Sequence, residues 1–281
     1  DALTEDSQTD YIIVMADQAN LEAAYQIEDW VERGQYVVDA LKATARESQK
    51  DVLAVLDEQG AKYESFFAGN EIYVYGGTRS SLNAVQALGD EVAEIRAPVT
   101  ITVGGQSSLV TFQDAIAAGS ADAALPQSEI DATTTWGLTD VQAPAFWSTY
   151  GVSGENIIVA NIDTGVQYNH PALLSAYRCQ SDPDSLDCWK DATSVCTGGV
   201  PCDDNGHGTH TMGTMVGDSA DYQIGMAPGA RWIACAACDS LGSCSDANVL
   251  TCGQWVLAPY PSGTPGSADS TKRPDVVNNS W

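Results

Sequence analysis

The fold is decided by residues 157–165, Ile-Ile-Val-Ala-Asn-Ile-Asp-Thr-Gly, and by residues 207–210, His-Gly-Thr-His. The apolar first half of the earlier block predicts a buried strand. Asp163 then stands at the carboxyl end of that strand, where open α/β sheets place their ligands and their chemistry. Small and apolar residues follow the later block, so we expect a buried helix that begins at His207.

A carboxylate at a strand end and a histidine at a helix start are two members of a triad that activates a nucleophile. The carboxylate fixes the imidazole tautomer and stabilises its cation, and the imidazole accepts the proton of the nucleophile. Alone, Asp163 could merely cap a turn, and His207 could be a structural histidine. The two blocks together favour catalysis, with Asp163 as the orienting carboxylate and His207 as the general base.

At these two blocks the chain resembles the subtilisin-like serine proteases (subtilases), and further segments agree in the same order. Residues 136–147 resemble the mature amino terminus of that family, and residues 225–230, Gly-Met-Ala-Pro-Gly-Ala, resemble its G-x-A-P-x-A segment. Residues 274–281, Pro-Asp-Val-Val-Asn-Asn-Ser-Trp, resemble the strand that lines its substrate cleft. That ending and residues 232–235 favour the bacillopeptidase F-like branch.

The resemblance implies an α/β fold, a subtilisin-like parallel-sheet three-layer domain, over residues 135–281. It implies that Asn278, Asn279 and Ser280 bind substrate along the cleft strand. Ser280 is not expected to be the nucleophile, because its context lacks the tight turn that exposes one. No Gly-Thr-Ser block follows His210. The resemblance therefore implies that the domain is incomplete and that the chain is the amino-terminal part of a longer precursor.

The first third of the chain carries a second pattern. Apolar alternation and turn residues predict the order β-α-β-β-α-β, which is a ferredoxin-like α+β sandwich. The strands are expected at 11–15, 63–67, 71–75 and 92–95, and the helices at 36–56 and 82–88. By the family resemblance, residues 1–105 are the inhibitory propeptide domain and residues 106–134 are a linker that carries the maturation site.

Cysteine use points to an oxidising compartment, because an even and clustered set suits disulfides. We expect all eight to be disulfide-bonded, in preference to metal or redox use: Cys179, Cys188, Cys196, Cys202, Cys235, Cys238, Cys244 and Cys252. The spacing suggests nested pairs Cys235–Cys252 and Cys238–Cys244, with the first four paired among themselves. The interval 177–204 is expected to be a disulfide-held surface insertion.

Charge is one-sided, with 38 acidic residues against 12 basic ones. This excess argues against binding to nucleic acid or to an anionic membrane surface, and no apolar run is long enough to span a bilayer. No cofactor is required for the chemistry and no metal ligand is assigned. A structural calcium ion stays open beside the favoured alternative of a solvated acidic loop, on the carboxylates of Asp182, Asp184, Asp187, Asp203 and Asp204.

The sequence therefore predicts a secreted serine endopeptidase of the subtilisin type, present as its proenzyme. Its partners would be a peptide or protein substrate and its own intramolecular propeptide. The 281 residues alone are expected to be inactive, because they lack the nucleophile block. Two other functions stay open: a catalytically inactive subtilase-like binding module, and a protease inhibitor that acts through the propeptide-like domain.

Overall fold

A computed structural model describes residues 7–103, 134–185, 187–219, 222–260 and 268–281. These residues form two compact units. The first comprises the described parts of 1–101 and 244–273, and the second comprises those of 102–243 and 274–281. The predicted linker, 106–134, lies outside the described residues apart from Thr134.

The strands are β1 (Thr9–Met15), β2 (Lys62–Phe66), β3 (Glu71–Gly77), β4 (Val92–Arg96), β5 (Thr100–Thr102), β6 (Ile158–Asp163), β7 (Trp189–Asp191), β8 (Arg231–Ala236), β9 (Ser243–Ser245) and β10 (Val276–Asn279). The α-helices are α1 (Trp30–Ser48), α2 (Lys50–Glu58), α3 (Arg79–Gln86), α4 (Trp136–Asp140), α5 (Ala143–Tyr150), α6 (His207–Val216) and α7 (Asp246–Leu257). Short 3₁₀ turns occur at Glu22–Gln26, Gly89–Glu91, Leu174–Ala176 and Ser270–Lys272. None of the helices in the described ranges is long and apolar enough to cross a membrane.

The first unit is a four-stranded antiparallel sheet in the order β2-β3-β1-β4, with α1 and α2 between β1 and β2 and α3 between β3 and β4. This is the predicted β-α-β-β-α-β ferredoxin-like sandwich, which is confirmed. Alternation along β1 explains it, because successive side chains of a strand point to opposite faces. Tyr11, Ile13 and Met15 share one core with Val52 and Leu56 of α2.

The opposite face of this sheet is also buried. Ile12 of β1, Phe66 of β2 and Tyr73 of β3 form a second core with Ala247, which belongs to α7. Ile12 and Phe66 are fully buried. A sheet that is covered on both faces needs apolar residues on both, which is why β1 reads as an almost continuous apolar run.

The long helix predicted at 36–56 differs from the structure at its start and in its middle. The helix begins at Trp30, where the carboxylate of Asp29 accepts a hydrogen bond from the backbone N–H of Glu32 at 2.8 Å. It is interrupted at Gln49, whose buried side-chain amide donates to Phe66 O at 3.1 Å and to Asn70 Oδ1 at 2.8 Å. The Gln49 side chain at this interruption therefore connects the helices to the β2–β3 hairpin by hydrogen bonds.

The second unit is built on a parallel sheet in the order β10-β6-β8-β7. The predicted parallel sheet is confirmed. β6 lies between β10 and β8, and its residues from Val159 onward are buried. Tyr177 and Trp232 are fully buried with ring centroids 4.4 Å apart, and the Trp232 indole donates to Leu173 O at 2.9 Å.

The interval 177–204 is more than a surface insertion, so that prediction is wrong in part. Trp189–Asp191 forms β7, which pairs in parallel with β8. Trp189 is 3% exposed and Cys188 is fully buried. These two buried side chains belong to the core of this unit, and a three-residue strand is too short to be recognised by its periodicity.

Candidate active site

Asp163 and His207 meet where β6 ends and α6 begins. Asp163 is the last residue of β6, and His207 is the first residue of α6. The His207 Nδ1 atom lies 2.7 Å from Asp163 Oδ1. An ionised carboxylate can only accept, so Nδ1 carries the proton, which leaves Nε2 of the neutral ring as the basic nitrogen. The Asp163 side chain is 1% exposed and the His207 side chain is 24% exposed.

Further donors surround the Asp163 carboxylate. Its Oδ1 atom also accepts a hydrogen bond from the backbone N–H of Thr164 at 2.7 Å. Its Oδ2 atom accepts one from the hydroxyl of Thr211 at 3.1 Å. A buried carboxylate is tolerated when such donors replace its lost water, and these donors also restrict its rotation.

Two glycines allow the end of β6 and the start of α6 to approach each other. A Cβ on Gly208 would lie 2.0 Å from the carbonyl oxygen of Gly165. Gly165 itself has a φ of +116°, and a Cβ there would lie 2.1 Å from Cys202 O. The glycines of the two sequence blocks are therefore required by close backbone contact, because no side chain fits at either position.

Asp203 is a structural residue of the site that the sequence suggested only as a calcium candidate. Its Oδ1 accepts hydrogen bonds from the Thr164 hydroxyl at 2.9 Å, from Asn205 N at 3.1 Å and from Gly206 N at 2.8 Å. Its Oδ2 accepts from Thr209 N at 2.8 Å and Thr209 Oγ1 at 2.6 Å. Asp203 lies three residues before Gly206, the N-cap of α6, and a carboxylate this close to a predicted helix start is the pattern that could have revealed its bond to the first helical turn.

Thr164 links Asp203 to the helix that carries His207. The Thr164 hydroxyl donates to Asp203 and accepts a hydrogen bond from the backbone N–H of Gly208 at 2.9 Å. The residue directly after Asp163 is thus bonded to the residue directly after His207. This pair of bonds fixes the distance between the two candidate catalytic side chains.

The three predicted substrate-binding residues lie at and just beyond β10. β10 pairs in parallel with β6, with Asn278 opposite Asn161 and Asn279 opposite Ile162. The Asn278 amide donates to Asn161 Oδ1 and to Ser280 Oγ, both at 2.9 Å. Among the described residues, no hydrogen bond joins Ser280 to His207. Binding of substrate by these residues stays a prediction.

Comparison with known proteins agrees with this geometry. The profile of the Subtilase family matches residues 154–281, which include both candidate catalytic residues and β10. The chain is 38% identical over 259 residues to Bacillopeptidase F of Bacillus subtilis (strain 168), which covers 87% of this chain and 17% of that protein. The chain belongs to the subtilase family over residues 154–281. The predicted resemblance to the bacillopeptidase F-like branch is confirmed.

Other subtilases are similar at lower identity. Subtilisin-like protease 1 of Arthroderma otae is 26% identical over 251 residues, with 87% of this chain and 41% of that protein covered. Subtilisin E of Bacillus subtilis (strain 168) is 28% identical over 124 residues, with 44% of this chain and 29% of that protein covered. The chain thus spans less than half the length of each of these relatives.

Disulfides hold the segment between the two sequence blocks that contain Asp163 and His207. Cys179 is bonded to Cys188, and Cys196 is bonded to Cys202. The other four cysteines are disulfide-bonded as well: Cys235, Cys238, Cys244 and Cys252. The nested pairing of these last four stays a prediction.

Among the described residues, no three of the acidic residues proposed for calcium come close enough together to share an ion. Within the described ranges, the one group of side chains close enough to share a metal ion is Cys179, Asp187 and Cys188, and its two sulfurs are joined to each other. Asp203 already accepts hydrogen bonds with both oxygens. A hydrogen bond shared with Asp184 raises the pKa of Asp182. Structural calcium therefore stays a prediction without an assigned site.

Proposed function

We propose that this chain supplies the orienting carboxylate and the general base of a secreted subtilisin-type serine endopeptidase. The observation that carries the proposal is the 2.7 Å contact between Asp163 Oδ1 and His207 Nδ1, which lies inside the segment matched by the Subtilase family. Asp163 holds the imidazole in the tautomer whose Nε2 is basic. The partial exposure of His207 leaves that nitrogen accessible to an incoming group.

The proposed reaction is acyl transfer from a peptide bond to a serine and then to water. His207 Nε2 takes the proton of the serine hydroxyl while its oxygen attacks the scissile carbonyl, and the imidazolium returns that proton to the leaving amine. The buried charge of Asp163 stabilises the imidazolium. The proposal assigns no nucleophile and no oxyanion donor among these 281 residues, in which no Gly-Thr-Ser block follows His210.

We propose that residues 1–105 are the inhibitory propeptide of this protease. Support comes from α7, which lies in the segment matched by the Subtilase family and yet packs on the sheet of the amino-terminal sandwich. The Arg96 guanidinium lies 3.0 Å from Asp246 Oδ2 at the start of α7, and Val99 N donates to the same oxygen at 2.6 Å. An amino-terminal domain that covers α7, a helix of the segment matched by the Subtilase family, is consistent with a proenzyme.

The decisive test labels the nucleophile. Protein expressed from the complete gene is treated with a fluorophosphonate probe and with a fluorogenic peptide, beside a His207→Ala variant and the 281-residue chain alone. Labelling and turnover are expected in the first sample and in neither of the others. Absence of labelling in the matured wild type would favour the inactive binding module. Turnover by the 281-residue chain would show that these residues already contain a nucleophile, which contradicts the proposal.

The inhibitor function is tested separately. Residues 1–103 are added to the matured enzyme, and peptide turnover is followed against the concentration of the added domain. Inhibition that saturates supports the propeptide role, whereas turnover that is unchanged at all concentrations contradicts it. Secretion, which the disulfides favour, is tested by locating the protein in the culture medium or in the cells.

A further inference from the structure

A chain of hydrogen-bonded polar side chains leads from β10 to the Asp163 carboxylate, and two of its members, Asn161 and Asp163, are buried. The Asn278 amide donates to Asn161 Oδ1 at 2.9 Å, and the Asn161 amide donates to Thr211 Oγ1 at 2.9 Å. The Thr211 hydroxyl lies 3.1 Å from Asp163 Oδ2. Asn161 is 1% exposed and stands in β6 between the apolar residues Ala160 and Ile162. A buried amide is costly unless every bond is made, so its presence calls for a reason other than packing.

The direction of the protons along this chain follows from its acceptors. The Asn161 amide nitrogen has two protons and donates to Thr211 Oγ1 and to Gly208 O, the latter at 3.1 Å. The Thr211 hydroxyl has one proton, for which Gly208 O and Asp163 Oδ2 compete at 3.1 Å each. The carboxylate is charged and is the stronger acceptor, while Gly208 O already receives the Asn161 amide. The hydroxyl proton is therefore directed to Asp163.

The effect on the candidate dyad is geometric. His207 occupies Oδ1 of Asp163, and Thr211 occupies Oδ2. A carboxylate held at both oxygens cannot rotate about its Cβ–Cγ bond without breaking one of the two hydrogen bonds. Oδ1 thus stays aligned with the imidazole N–H, and the burial of Asn161 and Asp163 strengthens the hydrogen bonds that these two side chains make.

We propose that Thr211 and Asn161 are positioning residues for the Asp163–His207 dyad. Thr211 holds the carboxylate directly. Asn161 acts through Thr211, because its amide fixes which way the hydroxyl proton points. Asn278 anchors Asn161 from the neighbouring strand. This inference rests on the proposed function of the dyad and deepens it.

Kinetics of protein expressed from the complete gene test the inference. Thr211→Val removes the hydroxyl and keeps the shape of the side chain, whereas Thr211→Ser keeps the hydroxyl. Thr214→Val is the matched control, because Thr214 lies on the same helix with an exposed hydroxyl that donates to His210 O. We expect Thr211→Val to lower kcat roughly tenfold with KM unchanged, as for loss of a hydrogen bond to a charged group, and the other two to stay within about twofold of wild type.

A spectroscopic readout separates this inference from the proposed function. The Nδ1 proton of His207 in its hydrogen bond to Asp163 gives a downfield proton NMR resonance that requires no nucleophile. Thr211→Val is expected to shift or broaden it, and Thr211→Ser and Thr214→Val to preserve it. If the protein shows no peptide turnover but Thr211→Val still changes this resonance, the proposed function is rejected and the positioning role of Thr211 is kept. Equal kcat and equal resonances in Thr211→Val and Thr214→Val would overturn the inference.

Two further variants guard against misfolding and test the relay through Asn161. If Thr211→Val does not fold, Thr211→Ala removes the same hydroxyl and should give the same loss and the same spectral change. Asn161→Val alone is expected to lower kcat several-fold. The double variant Asn161→Val/Thr211→Val should lose no more than Thr211→Val, because both act through one hydroxyl. Losses that multiply would show that Asn161 acts independently, and would overturn its part in the proposal.

Discussion

Asp163 Oδ1 and His207 Nδ1 lie 2.7 Å apart, although 44 residues separate the two in the chain. The contact arises because a strand ends where a helix begins, and because Thr164 and Asp203 tie the two ends together. The geometry of the dyad is therefore a property of the backbone around it as much as of the two side chains.

Replacing Asp163 with asparagine should remove most of the activity while the protein stays folded. Asparagine at this position can donate to Nδ1 and would stabilise the wrong imidazole tautomer. We expect kcat to fall roughly 10⁴-fold, as in serine-protease triads generally. Peptide turnover by the matured variant, with circular dichroism as the check on folding, measures this. A loss below about tenfold would contradict the role of Asp163.

Asp203→Ala should destabilise the protein. The substitution removes the acceptors of hydrogen bonds from Thr164, Asn205, Gly206 and Thr209, so we expect the free energy of unfolding to fall by about 2 kcal/mol. Urea titration measures it. The control is Asp204→Ala, an exposed neighbour whose replacement should stay within about 0.5 kcal/mol of wild type. Equal losses in the two variants would rule out the stabilising role of the Asp203 carboxylate.

Phe66→Ala tests the second core of the amino-terminal sandwich. Phe66 is fully buried with Ile12, Tyr73 and Ala247, so a cavity should cost about 3–5 kcal/mol of unfolding free energy. The same change at Phe67, whose ring lies 5.3 Å from the Lys42 ammonium, should cost about 1 kcal/mol. Thermal unfolding compares the two. Should Phe67→Ala prove the more damaging change, α7 would not pack on the sheet as described.

Glu155 should stabilise the fold in a pH-dependent way. Hydrogen bonds from the hydroxyl and the backbone N–H of Ser153 lower the pKa of Glu155 from its ordinary 4.5 to about 2. The folded state therefore binds the proton less tightly than the unfolded chain. The stabilisation is complete above about pH 4.5 and is lost as the pH falls towards 2.

The measurement compares the melting temperatures of wild type and Glu155→Gln between about pH 6 and pH 3. The difference should narrow as the pH falls, and added salt should reduce it because the carboxylate is exposed. Glu28→Gln, at an exposed glutamate, controls for the general effect of removing one negative charge. A difference that is constant over this range would contradict the prediction.

Non-reducing peptide mapping should recover two linked pairs, Cys179–Cys188 and Cys196–Cys202. Removing either pair by double alanine substitution should cost about 2–3 kcal/mol, because each disulfide closes only a short loop. The same digest tests the sequence-based pairs Cys235–Cys252 and Cys238–Cys244. Recovery of a Cys188–Cys196 link would contradict the structure of this segment.

Local patterns in the sequence predicted most strands and helices of the amino-terminal sandwich and the two candidate catalytic residues. The apolar residues of Ile158–Asp163 and those of Thr9–Met15 are close together in the sequence. Both strands could therefore be predicted without knowledge of the strands with which they pair. Asp163 and His207 were predicted because each stands inside a block with its own local pattern. The order of the sandwich followed from counting such elements along the chain.

The side chains that surround the dyad could be identified only from the folded structure. Asn278 bonds to Asn161 across 117 residues, and Asn161 bonds to Thr211 across 50. The role of Asp203 and the contact of Ala247 with the amino-terminal sheet are of the same kind. The residues next to a polar side chain in the sequence do not indicate its hydrogen-bonding partner. That partner depends on which strands and helices pack together. Hydrogen bonds between distant elements therefore become visible only once the chain is folded.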